Sequence, residues 1–171
     1  DPKSTFTPLL TVSLHFGHMG DGEAGAKALN ALRAQTDVDV TDAAIAAAWG
    51  RVVSSGTRGW LALTYESKKK LKLLGSGDDG GYAALRDVLA DDQVVYGAFR
   101  CADPAKIVFV AWVGEEAGGM VKGRATAHTQ SVENALEGTQ IGLQLAAKDE
   151  AEPLAVADKL KQALKVAAVT L

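Results

Sequence analysis

The sequence predicts an α/β fold of the α+β type: a mixed, mostly antiparallel sheet of five to six strands, sandwiched between helices on both faces. Three observations carry this. Runs such as Trp60–Tyr65 (WLALTY) and Ile107–Val113 (IVFVAWV) are apolar almost throughout, and strands without a polar face need cover on both sides. The segments between them carry apolar residues at helical spacing, enough to supply that cover two helices to a face. Several strand-to-strand links are too short for a crossover, so those pairs are antiparallel.

The elements follow in order. Thr41 or Asp42 caps a first helix, in which Ile45, Ala48, Trp49 and Val52 recur at i, i+3, i+4 and i+7. Ser54, Ser55 and Gly56 stop it. Trp60 to Tyr65 is the first strand, Glu66 to Lys70 a polar turn, and Lys70 to Leu74 the second strand. The glycine-rich stretch Gly75 to Gly81 reads as a loop. Tyr82, Leu85, Val88 and Leu89 mark a second helix. Val94 to Arg100 is the third strand, Asp103-Pro104 the turn after it, and Ile107 to Val113 the most apolar strand. A third helix spans Met120 to Leu136, with Val121, Ala125, His128, Val132 and Leu136 along one side, and Gly138 ends it. Thr139 to Leu145 is the last strand. Pro153 suits the first position of a final helix striped by Val156, Leu160, Ala163 and Leu164. The strand–helix–strand passage from 107 to 145 gives one parallel pair. Trp60, Leu63, Val95, Phe99, Val108, Val110 and Trp112 are expected in the core.

Bulk properties narrow the function. The 171 residues suit one domain with a real core. A net charge of −3 argues against a general nucleic-acid binder. No apolar run is long enough to cross a bilayer. The one cysteine, Cys101, cannot form an internal disulfide, and next to a turn it is expected half exposed and inert. No Cys/His cluster has zinc spacing, so no metal site is expected. No Ser-His-Asp order, carboxylate pair or cofactor fingerprint is present, so the chain reads as a binding module with no catalytic residue and no cofactor. The loop from Gly75 lacks the phosphate-cradling pattern, and Asp78 and Asp79 would repel phosphate.

Residues 1–36 differ from the rest and read as an N-terminal extension or an appended tail; residues 37–171 form the domain. Leu10, Val12, Leu14 and Phe16 alternate as on a strand, and Glu23 to Gln35 is Ala-rich and helical in character. Gly17, His18 and Met19 resemble a cloning remnant, and Met19 is an alternative start. Both readings of residues 1–18, foreign or native, stand, and on either they are dispensable.

The densest signal lies between Lys106 and Gln144. An apolar strand runs into an acidic, Gly-rich turn, and Lys122 and Arg124 then open a polar helix. Cations gain nothing from the positive end of a helix, so their placement suggests attraction to something outside the chain. The plain alternative is an exposed, solvated face. His128 reads as a packed, hydrogen-bonded helix residue. Lys68, Lys69, Lys70 and Lys72 form a basic run that edge protection explains, with acidic lipid headgroups a weaker option.

Residues 40–167 resemble an actin-depolymerising-factor homology domain, the fold of cofilin, coactosin and drebrin, and are most similar to the coactosin and drebrin-like branch. Three pieces carry the resemblance: Trp60 to Glu66 behind a helix ending at Arg51–Val53; Val94 to Arg100; and Lys106 to Phe109 through Trp112-Val-Gly-Glu115, then Lys122-Gly with His128 six residues on. The resemblance implies an actin-binding module whose main contact is the third helix and the turn before it. By the same resemblance Met120, Lys122, Arg124 and Thr126 are contact residues, with Lys106 on the Cys101–Lys106 hairpin of a second, filament-specific surface. That hairpin keeps one cation where relatives are more basic. A long segment also precedes Thr41 where cofilins carry a short, serine-bearing terminus.

These departures imply binding to the side of actin filaments, more than to monomers, without severing them. A monomeric cytoplasmic protein of the actin cytoskeleton is expected. Two other functions stay open: binding an actin-related-protein complex, or serving as a structural subunit that uses the fold as scaffold.

Overall fold

The structure, a computed structural model, describes residues 38–54 and 58–171. The predicted strand from Leu9 to Phe16, the helix from Glu23 to Gln35, the division at residue 36 and the end of the first helix at residues 55 and 56 lie outside the described residues.

The chain alternates as predicted: α1 (Ala43–Ser54), β1 (Trp60–Tyr65), β2 (Leu71–Gly77), α2 (Gly81–Arg86), β3 (Val94–Arg100), β4 (Ile107–Val113), α3 (Gly119–Ala135), β5 (Ile141–Leu145) and α4 (Pro153–Leu164). The five strands are ordered β2-β1-β3-β4-β5. The short links β1–β2 and β3–β4 give antiparallel pairs, β1 and β3 pair antiparallel at the centre, and β4–β5 is parallel across the α3 crossover.

Alternation along the strands divides the core in two. Leu61, Leu63, Tyr96, Phe109 and Ala111 pack on one face with Ile45, Ala48 and Val52 of α1 and Ala125 and Val132 of α3. Val95, Phe99, Val108, Val110 and Trp112 pack on the other with Tyr82 and Leu85 of α2 and Val156 and Leu160 of α4. β3 and β4 are covered on both sides, which is why their sequences have no polar face. At the helix starts, Asp42 accepts from the Ala44 amide at 2.9 Å and caps α1, and Pro153 follows Glu152 at the start of α4.

Four expectations need correction. β2 does not end at Leu74 but runs through Gly75 and Gly77, because the Trp60 indole lies across them. A Cβ on Gly75 would sit 3.1 Å from Trp60 Cη2, and one on Gly77 2.6 Å from its Nε1. The glycines there make room for a ring. For the same reason Trp60 is only partly buried, whereas the other six expected core residues are buried. α2 stops at Arg86, and Val88 and Leu89 pack from the turn beyond it. Cys101 is buried, not half exposed: it continues the inward phase of β3, and burial pushes its thiol up to about 12.

Both ends of the described chain are tied to the sheet. Asp39 bridges Lys70, with Asp39 N donating to Lys69 O at 2.6 Å and Leu71 N to Asp39 O at 2.9 Å. At the opposite end of the sheet, Ala102 N donates to Thr170 O at 2.9 Å and Thr170 N to Asp103 O at 2.8 Å. The β3–β4 hairpin is therefore backed by the C-terminal segment.

Candidate functional site

The start of α3 is held by a tight turn. Trp112 Nε1 donates to Ala90 O at 2.7 Å, Gly114 N to Gln93 O at 3.0 Å and Glu116 N to Asp91 O at 2.9 Å. The turn presses so closely on residue 91 that a Cβ on Gly114 would overlap the Asp91 carbonyl. α3 then begins behind Gly118, an extended residue with no side chain to cap the helix, and its first turn contains no acid. The free amides of that turn add to the positive end of the helix.

On this turn Met120 is 83% exposed, a large apolar side chain standing in solvent. The other candidates are less free than the sequence suggests. Lys122 Nζ donates to the Glu115 carbonyl at 2.7 Å. The Arg124 guanidinium lies 5.8 Å from the centre of the Tyr65 ring, a cation–π contact. Thr126 is exposed, and its hydroxyl donates to Lys122 O at 3.1 Å within the helix. Met120, Lys122, Arg124 and Thr126 thus share one end of α3. Lys106 does not join them: it opens β4, whose other end leads into α3, so a strand of seven residues, roughly 20 Å, separates them.

Beneath this surface a polar cluster pins α3 to the sheet. Tyr96 OH, fully buried, donates to the Ala125 carbonyl at 3.0 Å. Tyr65 OH lies 3.0 Å from Tyr96 OH and 2.8 Å from His128 Nδ1. Tyr96 has spent its only hydrogen on Ala125, so Tyr65 donates to Tyr96 and accepts from His128. Each contact then holds one hydrogen, provided the imidazole carries its proton on Nδ1. His128 is the packed, hydrogen-bonded residue expected. Burial raises the Tyr65 phenol above its ordinary range, against the opposing pull of the Arg124 charge. Burial raises the Tyr96 phenol further.

Between α3 and β5 runs a cleft of about 220 Å³, where the buried Glu133 carboxylate lies over Gly142. Among the described residues no group of three metal-ligating side chains gathers there or elsewhere.

Against known proteins, the profile of the family described as cofilin/tropomyosin-type actin-binding protein matches residues 37–161. The chain belongs to this family. It is 29% identical over 126 residues to drebrin-like protein A of Xenopus laevis, a match covering 71% of this chain and 28% of that protein. It is 28% identical over 120 residues to coactosin of Dictyostelium discoideum, covering 66% of this chain and 82% of that one. The chain therefore spans well under a third of the drebrin-like relative's length. Among solved structures, coactosin from Entamoeba histolytica superposes with a TM-score of 0.65 at 18% identity, over 76% of this chain and 99% of that one. At that identity the likeness speaks for the fold. The mixed five-stranded sheet with two helices on each face is the fold of this actin-binding family.

For this family member, sequence reasoning missed Tyr65, which carries Arg124 on its ring and joins the strand end to α3. The signal was its place at the end of the WLALTY strand, but linking it to Tyr96 and His128 requires the β1–β3 register. The Glu115 carbonyl, as a backbone atom, left no signal.

Proposed function

We propose that this chain binds actin, and that it engages the side of filaments through the start of α3 without severing them. The observation that carries the reading is the surface on that turn: exposed Met120 beside Lys122 and Arg124, with no acid in the first turn, in a member of an actin-binding family. Such a surface suits an acidic partner with an apolar recess for the methionine. Lys122 and Arg124 are prepositioned by the Glu115 carbonyl and the Tyr65 ring, so less side-chain freedom is lost on docking.

Weak hairpin contact supports binding without severing. From Cys101 to Lys106 the only cation is Lys106, Asp103 opposes it in charge, and the Thr170 pairing occupies part of the backbone. The same reading makes the chain a monomeric, cytoplasmic component of the actin cytoskeleton, with filaments preferred over monomers. No described helix is long and apolar enough to cross a membrane. Co-sedimentation with filaments tests the binding, and microscopy of labelled filaments tests the mode. Pelleting with filaments and an unchanged rate of breakage are expected. Absence from the pellet would move the actin-related-complex and scaffold readings ahead, and increased breakage would refute the non-severing mode.

A further inference from the structure

We propose that Met120 is an oxidation site that weakens docking: converting its thioether to the sulfoxide removes the apolar contact at the start of α3 and leaves the fold intact; this rests on the actin reading above. The proposal stands on a contrast between the two sulfur-bearing side chains of the described residues. Met120 is 83% exposed on the first turn of α3, whereas Cys101, directly after β3, is 1% exposed. Met19, the chain's other methionine, lies outside the described residues.

Exposure decides which of the two an oxidant meets. A thiol reacts as its thiolate, and burial pushes the Cys101 thiol up to about 12. At neutral pH only a trace of thiolate exists, and it is shut away from solvent. A thioether has no proton to lose, so the Met120 sulfur offers a lone pair without first being ionised. The step is a two-electron oxygen transfer from a hydroperoxide. The lone pair attacks one peroxide oxygen, an S–O bond forms and the O–O bond breaks. The proton on the transferred oxygen passes to the departing hydroxide, which leaves as water. Sulfur is oxidised, the peroxide is reduced, and no further reactant is needed.

The consequence falls on docking and spares folding. Met120 belongs to neither core cluster, so the fold loses no buried surface when the side chain becomes polar. Its apolar surface leaves water only when a partner covers it. The unbranched thioether adapts to an apolar recess, and the sulfoxide sets a strong acceptor in the middle of it. That recess must then bury an oxygen without a donor, or exclude the side chain. Lys122 and Arg124 stay held by the Glu115 carbonyl and the Tyr65 ring, so the charge attraction survives and the apolar contact is lost.

The test treats the full chain with dilute hydrogen peroxide, removes the peroxide with catalase and only then adds filaments, so that the filaments are never oxidised. Peptide mass mapping is expected to show one added oxygen at Met120. The oxidised wild type should co-sediment at least about tenfold more weakly than the reduced wild type, with an unchanged melting temperature. Methionine sulfoxide reductases of both epimer specificities should restore binding. Two variants locate the effect, each compared with its own untreated form: Met19→Leu should respond as the wild type does, and Met120→Leu should change less than about twofold. If protein mapped as the Met120 sulfoxide pellets as the reduced protein does, or if Met120→Leu loses binding on treatment as the wild type does, the inference is overturned while the actin reading stands. Modification of Cys101 ahead of Met120, or a lower melting temperature after oxidation, would overturn it as well. If the untreated wild type does not pellet, both fall.

Discussion

Two buried tyrosines offer a sharp check on how this fold is held. Tyr96 makes two hydroxyl contacts, to Ala125 O at 3.0 Å and Tyr65 OH at 3.0 Å, whereas Tyr82 makes one, to Ala151 O at 2.6 Å. Counting bonds says that Tyr96→Phe is the costlier change. Following the partners left behind reverses the order. Without the Tyr96 hydroxyl, the Ala125 carbonyl keeps the Thr129 hydroxyl at 2.7 Å, and the half-buried Tyr65 hydroxyl turns its hydrogen to His128 Nδ1, 2.8 Å away, as the imidazole proton moves to Nε2. No buried group is stranded, so the cost is that of an ordinary net hydrogen bond, ~1 kcal/mol. Among the described residues the Ala151 carbonyl accepts from Tyr82 alone, and Ala151 is only 4% exposed. Tyr82→Phe strands a buried acceptor, which costs about 1–3 kcal/mol beyond the lost bond and brings the total to roughly 2–4. Urea unfolding at neutral pH, followed by tryptophan fluorescence, measures both. A Tyr96→Phe variant destabilised as much as Tyr82→Phe would refute the reasoning.

Other expectations follow from the same contacts. Burial pushes the Tyr82 phenol from 10.0 up to about 12, so above pH 10 the unfolded chain gives up a proton that the folded chain keeps. Its contribution is complete below pH 10 and is lost as pH rises toward 12, at ~1.4 kcal/mol per pH unit. Melting temperature measured from pH 9 to 12 should fall less steeply in Tyr82→Phe, and identical slopes would count against this. Trp112→Ala should cost ~3–5 kcal/mol in urea, because a fully buried indole and its bond to Ala90 are lost together. Gly97→Ala should cost ~1–3 kcal/mol, since its Cβ would sit 2.6 Å from Leu85 Cδ1 in a packed core; an unchanged midpoint would contradict the packing. Lys122→Ala/Arg124→Ala should weaken filament binding at least roughly tenfold. The pair should also lose ~1–2 kcal/mol of stability with the Glu115 and Tyr65 contacts, read as a lower melting temperature. The sequence alone suggests no such loss.

The strands were legible where burial left no choice. β1, β3 and β4 are apolar on both faces, so their limits match the predicted ones residue for residue. β2 was less legible because two of its residues are glycines, which read as a loop until the Trp60 ring is seen lying across them. α2 was overestimated because Val88 and Leu89 keep an apolar rhythm that a turn can also bury. At the site, Lys122 and Arg124 were visible as misplaced cations, whereas Met120 and Thr126 came only with the family resemblance. What the two cations touch was not visible, because one partner is a backbone carbonyl and the other a ring on a different strand. The separation of Lys106 from that group follows from the direction of β4.

The pairing of Thr170 with the hairpin also fixes where the chain leaves the molecule. Leu171 emerges beside the β3–β4 hairpin, with its carbonyl accepting from Arg58 Nη1 at 3.4 Å, at the end of the sheet remote from Met120 and Arg124. A fluorophore, affinity handle or further domain joined after Leu171 would trail away from the α3 surface, leaving it open to a partner. The same attachment would crowd the hairpin. One molecule labelled there could therefore report docking through α3 while blunting any contact made by Lys106, separating the two surfaces without altering a residue in either.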